Sequence, residues 1–264
     1  MAQLTLLVGN RASCDRSLQA WLAMRHAGLR FDVDLFSGTQ RAISLGMSFA
    51  AEPPVLLVDN VPIWGVLPIG EFLAEHVPSL WPRDPRARAL ARSVAAEGLE
   101  GLSAIRALLP FDVTQRFTIP RLNLAVQHDL SRLAALWEAC RREFGAGGPY
   151  LFGKFSLADA VHAGAAMRLI GNSIRLQGEA ASYLQTLATL PVLGEWIEEA
   201  SGNRRTAEPE RSDWANAGNR PSSPAAPAQD RMPPTETVAR RETRDIEGYD
   251  GGVKPIGAGI HRRH

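Results

Sequence analysis

Cysteine is scarce in this chain of 264 residues, which contains only Cys14 and Cys140. Two distant cysteines do not make a disulfide framework, so we expect a reducing compartment. No apolar run approaches the roughly 18 residues that span a membrane, and the N-terminus has no basic segment ahead of a long apolar core, as a signal peptide requires. These absences predict a soluble cytoplasmic protein without a membrane partner.

An excess of charge of either sign is also missing. The formal net charge is +1 and no basic stripe runs along the sequence, so we expect no nucleic-acid partner. His261 and His264 lie near the end of the chain, but two histidines make a weak metal site at best, and we expect no metal. The hydrophobic share of 45% is that of an ordinary globular protein.

The first part of the chain alternates between strand and helix patterns. The apolar run Leu4–Val8 predicts a buried strand, and a helical pattern follows it, capped by Ser13 or Asp15 and ended by Gly28. Phe31–Phe36 alternates apolar and polar residues, which predicts a second strand. Because a helix joins the two strands through short connections, they should be parallel.

The pattern continues with a short helix at Gln40–Met47. Val55–Val58 and Val61–Trp64 then predict a hairpin around a tight turn. A further helix carries Pro68 in its first turn, where the missing N–H is no loss. The predicted order over residues 1–78 is therefore βαβαββα.

After a linker at Trp81–Pro85 the periodicity is helical. Ser156 and Asp159 match the acidic form of a capping box, with Phe155 placed to pack against the helix, which predicts a role in folding. We expect helices over Arg86–Leu108, Leu122–Phe144, Leu157–Ile170, Glu179–Leu187 and Val192–Ala200.

The composition changes again over residues 203–264. This segment holds seven of the 18 prolines and few large apolar residues, and eleven Lys and Arg against nine Asp and Glu give it a net charge of +2. Such a segment cannot bury enough apolar surface to offset its ordering entropy. We expect a disordered tail.

The stretch from Ser13 to Ser17 is a candidate site because it joins a buried strand to a helix N-terminus. The unpaired amides and the dipole of a first helical turn favour negative charge, and a cysteine there can be partly ionised near neutral pH. Cys14 is thus a candidate nucleophile, although the carboxylate of Asp15 beside it opposes ionisation. The alternative is a small side chain packed beneath the strand.

Five stretches together match the pattern of one family: Val8–Leu18, Glu52–Leu56, Trp64–Glu75, Pro149–Ala160 and Tyr183–Trp196. With the βαβαββα order and the helices that follow, they make the chain resemble the cytosolic glutathione S-transferases over about residues 3–201. The variant is most similar to bacterial members related to the zeta class. The resemblance implies a thioredoxin-like domain at residues 1–80, an all-helical glutathione S-transferase C-terminal domain at 85–201, and a homodimer.

The resemblance also implies the ligands and the site. Glutathione would be the co-substrate and a small hydrophobic electrophile its partner. A cis Pro54 would open a strand edge, with the N–H and C=O of Val55 pairing with the cysteinyl backbone of glutathione. Cys14 stands where serine-type relatives carry the active serine. Ser13 and Ser17 are the alternative donors, and Arg11 could reach a glutathione carboxylate.

Two positions depart from the family pattern. Gly65 and Val66 replace an acidic residue and a serine that hold the γ-glutamyl end, so only the Val66 backbone N–H remains there. Losing one or two charge-assisted contacts of ~1.5–3 kcal/mol each weakens glutathione binding roughly ten- to a few hundred-fold. Leu99 and Glu100 replace a polar His-Ser pair of related bacterial members.

Three functions stay open at this point. The first is an enzyme that conjugates glutathione or transfers thiols, with Cys14 as nucleophile and its substrate near Arg106, Phe111 and Arg116. The second is a non-catalytic module kept for binding or dimerisation. The third is a zeta-type maleylacetoacetate isomerase, which needs a cationic pocket for a dicarboxylate, and the sequence singles out only Arg11 for it.

Overall fold

The computed structural model describes residues 3–38, 52–119 and 121–204. The predicted helix at Gln40–Met47 and nearly all of the predicted disordered tail lie outside these residues. Among the helices of the described ranges, none is long and apolar enough to cross a membrane.

A four-stranded sheet forms the first part of the fold. Its strands are β1 (Leu4–Val8), β2 (Asp32–Leu35), β3 (Val55–Val58) and β4 (Val61–Trp64), in the spatial order β2-β1-β3-β4. β1 pairs in parallel with β2, as predicted, and antiparallel with β3. Asp59 and Asn60 have φ of 48° and 70°, so the β3–β4 hairpin has the two-residue turn whose twist matches that of the strands.

Two helices, α1 (Asp15–Ala27) and α2 (Val66–His76), belong to this first part. Gly28 ends α1 with φ of 69°, as its sequence position predicted. Side chains of the sheet alternate between two faces. One face joins the main core with α1 and α2 through Leu6, Val8 and Leu56, and the other forms a second buried cluster of Leu7, Val55 and Leu57.

The second part of the fold is helical. Its helices are α3 (Pro85–Glu100), α4 (Ser103–Leu108), α5 (Leu124–Phe144), α6 (Leu157–Gly171), α7 (Gly178–Ala188) and α8 (Pro191–Arg204). Helix α6 is buried on nearly every side and packs most extensively against α1 and α3. One continuous hydrophobic core therefore runs from the sheet into the helices.

The single helix predicted over Arg86–Leu108 is wrong. Helix α3 ends at Glu100, and α4 begins afresh at Ser103. The buried carboxylate of Asp129 on α5 accepts the N–H groups of Ala104 and Ile105, at 2.9 and 3.2 Å. A carboxylate at this point satisfies the free amides of a new helix start, and so it stabilises the break.

Candidate functional site

Asn10 shapes the turn that joins β1 to α1. Its backbone C=O accepts the N–H groups of Ser13 and Cys14, at 3.2 and 2.8 Å, and its side-chain oxygen accepts the N–H of Ala12 at 2.9 Å. Cys14 thereby becomes the N-cap residue of α1, with φ of −101° and ψ of 95°. The expected side-chain cap from Ser13 or Asp15 is absent from this helix start.

The sulfur of Cys14 is half-buried at this helix start. The hydroxyl of Ser17 donates to Sγ at 3.1 Å and accepts the N–H of Gly9 at 3.0 Å. A Cβ on Gly9 would lie 3.1 Å from both Cys14 Sγ and Pro53 Cγ. The sulfur therefore lies where the end of β1, the start of α1 and the Pro53 loop meet. A hydrogen bond donated to sulfur stabilises negative charge on it.

The peptide bond between Pro53 and Pro54 is cis, which confirms the expectation for Pro54. The expectation for Val55 needs correction. Val55 lies in β3 between two other strands, opposite Leu7 and Trp64, so its backbone groups face neighbouring strands. The open end of the strand is Pro53, and proline has no N–H. This end can therefore offer a ligand a C=O but no N–H.

Gly65 and Val66 form the start of α2. Gly65 has φ of 90° and no side chain caps the helix, while the Val66 side chain is buried. As the sequence indicated, this turn carries no hydroxyl or carboxylate. Pro68 removes one more first-turn N–H, so a ligand carboxylate would find here only the N–H groups of Val66 and Leu67.

Arg11, expected to reach a glutathione carboxylate, is engaged by its own chain in this structure. Its Nη1 pairs with Glu199 Oε2 on α8 at 2.5 Å, and the side chain is only 11% exposed. The guanidinium lies 5.1 Å from the ring centroid of Trp196, whose Nε1 donates to the Arg11 carbonyl at 2.9 Å. The carboxylate that Arg11 binds is thus one from its own chain.

The two alternative hydroxyl donors lie in different surroundings. Ser13 is exposed, whereas Ser17 is fully buried and both its bonds go to the protein. Ser17 can therefore act on a ligand only through the sulfur of Cys14.

The sequence did not indicate Arg168, a buried residue of α6 that reaches the site. Its Nη2 donates to Asp15 Oδ2 at 2.6 Å, its Nη1 donates to the Leu109 carbonyl at 2.5 Å, and it lies over the ring of Phe111. The charge of Asp15, which we expected to oppose ionisation of Cys14, is thereby compensated. An arginine among the mostly apolar residues at the end of α6 was the available signal, since a buried charge needs a partner.

The residues expected along the substrate cleft separate into three cases. Phe111 packs under Arg168, and Arg116 is exposed. Arg106 lines a small cavity that Asp15 also lines. At the end of α3, Leu99 is buried in the core and Glu100 forms an ion pair with Arg16. Arg106 thus shares a cavity with the first residue of α1.

Cys140, the second cysteine, lies in the helical core. Burial, followed by the charge of Asp159, raises the pKa of its thiol to about 12, so it is inert near neutral pH. Across the described ranges no group of three His, Cys, Asp or Glu side chains could hold a metal ion. Of the two cysteines, only Cys14 is placed for chemistry.

Solved structures share this architecture. A glutathione transferase homolog from Burkholderia gl BGR1, with bound glutathione, aligns with a TM-score of 0.57 at 19% identity, over 76% of this chain and 99% of that one. The chain has the glutathione transferase fold. A diazinon-metabolizing glutathione S-transferase of the silkworm Bombyx mori aligns with a TM-score of 0.58 at 17% identity, over 76% and 98% of the two chains. Ure2p in complex with glutathione aligns with a TM-score of 0.55 at 15% identity, over 74% and 94%.

A scan against protein-family models and a search of curated proteins found no match. The glutathione transferase fold confirms the predicted class, a thioredoxin-like sheet part followed by helices. At these identities the likeness defines the fold alone, and the chemistry must be argued from the residues of this chain.

Proposed function

We propose that this protein is a glutathione-dependent thiol-transfer enzyme in which Cys14 is the nucleophile. The observation that supports it most is the position of Cys14 Sγ, half-buried at the N-cap of α1 and hydrogen-bonded by Ser17. The free first-turn amides of α1 and the Ser17 hydroxyl are both placed to stabilise negative charge on this sulfur during a reaction. Two proteins of the same fold carry bound glutathione, which supports glutathione as the thiol.

The chemistry is two thiol–disulfide exchanges. The Cys14 thiolate attacks the glutathionyl sulfur of a mixed disulfide R–S–SG, so a Cys14–SG bond forms while the S–S bond of the mixed disulfide breaks and RS⁻ leaves to take a proton. A glutathione thiolate then attacks the glutathionyl sulfur on Cys14, which releases the Cys14 thiolate and glutathione disulfide. Glutathione must perform this second step because Ser17 stands where a resolving cysteine would be and Cys140 is buried.

Conjugation to a hydrophobic electrophile is the less favoured form of this activity. It requires a hydroxyl or similar donor that stabilises the glutathione thiolate itself. Ser17 is fully buried and is already bonded to Cys14, and Ser13 is exposed. Cysteine chemistry therefore fits the turn better than hydroxyl chemistry.

Glutathione should bind weakly in this site. Pro53 supplies no N–H to the cysteinyl backbone, Gly65 supplies no side chain to the γ-glutamyl end, and Arg11 is paired with Glu199. Each missing charge-assisted contact costs about 1.5–3 kcal/mol, which corresponds to about tenfold or more in affinity. We therefore propose turnover that needs high glutathione concentrations.

The decisive experiment is intact-protein mass spectrometry after incubation with glutathione disulfide. The parent should gain one glutathionyl group and lose it on addition of glutathione. Cys14→Ser should gain none, while Cys140→Ser, the matched control, should behave as the parent. The same adduct on Cys14→Ser would overturn the assignment of Cys14, and no adduct on the parent would overturn glutathione as the thiol.

A non-catalytic binding module is the second candidate. Three features favour this module: Pro53 has no N–H, Gly65 has no side chain, and Arg11 is paired with Glu199. Each removes a contact to glutathione without affecting the fold. Retention of the parent on immobilised glutathione, with no release of thiol from a glutathionylated peptide, would support this module over the enzyme. A zeta-type isomerase is less favoured, since the cation expected for its dicarboxylate, Arg11, already binds Glu199.

A homodimer in the cytoplasm belongs to the same proposal. Val61 and Trp64 on the edge strand β4 are 63% and 46% exposed, and Leu90 on α3 is 38% exposed. Exposed apolar residues on an edge strand are a feature that proteins usually cover. Sedimentation velocity would show a monomer if this part of the proposal is wrong.

A further inference from the structure

Arg168 of α6 joins three parts of the chain at the start of α1. Its Nη2 donates to Asp15 Oδ2 at 2.6 Å, its Nη1 donates to the Leu109 carbonyl at 2.5 Å, and its guanidinium lies 5.1 Å from the ring centroid of Phe111. The Arg168 side chain is 9% exposed and that of Asp15 is 20% exposed. A pair with so little contact to water is screened weakly, so each charge depends on the other.

Asp15 is the first residue of α1 and directly follows Cys14, the N-cap residue. The side chains of consecutive residues lie at most about 10 Å apart, which is within the range of a weakly screened charge. An unpaired carboxylate at Asp15 would therefore repel negative charge that forms on Sγ. With Arg168 bound, the pair as a whole is neutral and this repulsion is removed.

Other bonds also hold the turn that joins β1 to α1 against the helical part of the fold. The Val113 N–H donates to the Ala12 carbonyl at 2.9 Å. Trp196 Nε1 donates to the Arg11 carbonyl, also at 2.9 Å. Both bonds remain when Arg168 is replaced, so what an uncharged replacement removes from the turn is chiefly the counter-charge of Asp15.

We infer that Arg168 is a positioning residue for Cys14, which fixes Asp15 and cancels its charge beside the sulfur. The inference rests on the proposed role of Cys14 and deepens it, because it names the residue that keeps the sulfur reactive. A purely structural clamp would be broken by the loss of either partner, with the same effect on Cys14. A counter-charge predicts opposite effects, since the two partners have opposite signs.

The test follows the reaction with dithiodipyridine, a neutral aromatic disulfide, as a function of pH. A bond forms between Cys14 Sγ and one reagent sulfur as the reagent's S–S bond breaks, and the released thione is followed by its absorbance. The pH at the midpoint of the rate should rise by about one unit in Arg168→Gln and fall by a similar amount in Asp15→Asn. The double variant and Arg168→Lys should both return to the parent's midpoint.

The remaining charged groups around this helix start come from the turn, α1, the Pro53 loop, α3, α4, the segment after α4 and α8: Arg11, Arg16, Glu52, Glu100, Arg106, Asp112 and Glu199. All of them are kept in these variants, so differences between midpoints report on the Asp15–Arg168 pair. Arg141→Gln is the matched control. Arg141 is 17% exposed, pairs with Glu179 and donates to backbone carbonyls as Arg168 does, but its contacts lie on α7 and in the loop after α5. Its loss should leave the midpoint unchanged.

The outcomes separate the inference from the function it deepens. Equal midpoints in the parent, Arg168→Gln and Asp15→Asn would overturn the inference, and so would shifts of the same sign. If Arg168→Gln does not fold by circular dichroism, Asp15→Asn decides, since a midpoint that is unchanged or higher would overturn the inference. The reaction needs no glutathione, so opposite shifts together with no glutathionyl adduct on the parent would overturn only the use of glutathione. If Cys14 does not react with the reagent, the inference is overturned as well.

Discussion

Ser17 donates its hydroxyl proton to Cys14 Sγ across 3.1 Å and accepts the N–H of Gly9 across 3.0 Å. These two bonds use the hydroxyl as both donor and acceptor, and the side chain is fully buried. Ser17 therefore positions the sulfur and links the end of β1 to the first turn of α1. In the Cys14-x-x-Ser17 pattern, the serine acts as a positioning residue of the cysteine.

We expect Ser17→Ala to be both less stable and less reactive. It leaves the partly buried N–H of Gly9 without its acceptor, at a cost of about 1–3 kcal/mol, and removes the donor to Cys14. Urea denaturation and the rate of reaction with dithiodipyridine measure the two effects. Ser13→Ala, at an exposed position, should lie within about 0.5 kcal/mol of the parent. If both variants match the parent, the hydroxyl has no positioning role.

We expect Gly164→Ala to destabilise the contact between α1 and α6. A Cβ on Gly164 would overlap Nε2 of Gln19, and the buried amide of Gln19 is held by its bond to the Val161 carbonyl. Overpacking of this kind costs about 1–3 kcal/mol. The measurement is the free energy of unfolding in urea.

Gly194→Ala is the control for this substitution. Gly194 lies in α8, where a Cβ would meet nothing within 4 Å, so alanine should be neutral or stabilising by up to about 1 kcal/mol. A Gly164→Ala protein as stable as the parent would show that the Gln19 side chain can move away without cost.

The parts of the fold that depend on local sequence could be predicted. Two short strand patterns around a tight turn predicted the β3–β4 hairpin, and Gly28 predicted the end of α1, where it adopts a left-handed conformation. The break between α3 and α4 could not be predicted, because the carboxylate that stabilises it, Asp129, comes from another helix. Nothing in the sequence near Gly101 identifies that partner.

The same division holds for the site. Cys14 at a helix start follows from neighbouring residues, whereas the cis bond before Pro54 was predicted from the resemblance to glutathione S-transferases. The pairing of Arg11 with Glu199 joins residues far apart in the chain, and a sequence with many arginines and carboxylates does not say which ones meet. The Pro53-Pro54 pair shows that the residue before Pro54 has no N–H. Only the pairing of β3 with its two neighbouring strands shows that Pro53 is the open end of the strand, where a ligand would need that N–H.

We expect Asp159→Asn to be strongly destabilising. The fully buried carboxylate of Asp159 accepts the Leu151 N–H, the Ser156 N–H and hydroxyl, and the Tyr183 hydroxyl, at 2.8–3.0 Å. Asparagine replaces one of the two accepting oxygens with an NH₂ group, which would face donors. The cost should be about 2–4 kcal/mol, measured by urea denaturation.

Asp84→Asn provides the matched comparison. Asp84 caps α3 by accepting a single N–H, that of Ala87, at 2.8 Å, and asparagine caps helices as well as aspartate does. The free energy of unfolding should change by less than about 0.5 kcal/mol. Equal losses in the two variants would mean that Asp159 acts only as an ordinary cap.

A buried histidine sets the response of the helical core to acid. Trp137 Nε1 donates to Nδ1 of His162 at 3.0 Å, so the ring proton lies on Nε2, which donates to the Val94 carbonyl at 3.1 Å. Burial lowers the pKa of His162 from 6.5 to about 4. The unfolded chain therefore binds this proton more readily than the folded chain does. The stability that His162 contributes is complete above pH 6.5 and is lost as the pH falls from 6.5 to about 4.

We expect the parent to lose about 3 kcal/mol over this window through His162 alone. His162→Gln is the comparison, because an amide can accept from Trp137 and donate to the Val94 carbonyl without titrating. Its absolute stability can be lower, since the readout is the change with pH in the difference between the two unfolding free energies. Urea denaturation of both proteins across the window measures that difference. A difference that stays constant would mean that folding leaves the proton affinity of His162 unchanged, and the acid sensitivity of the protein would then have to come from other groups.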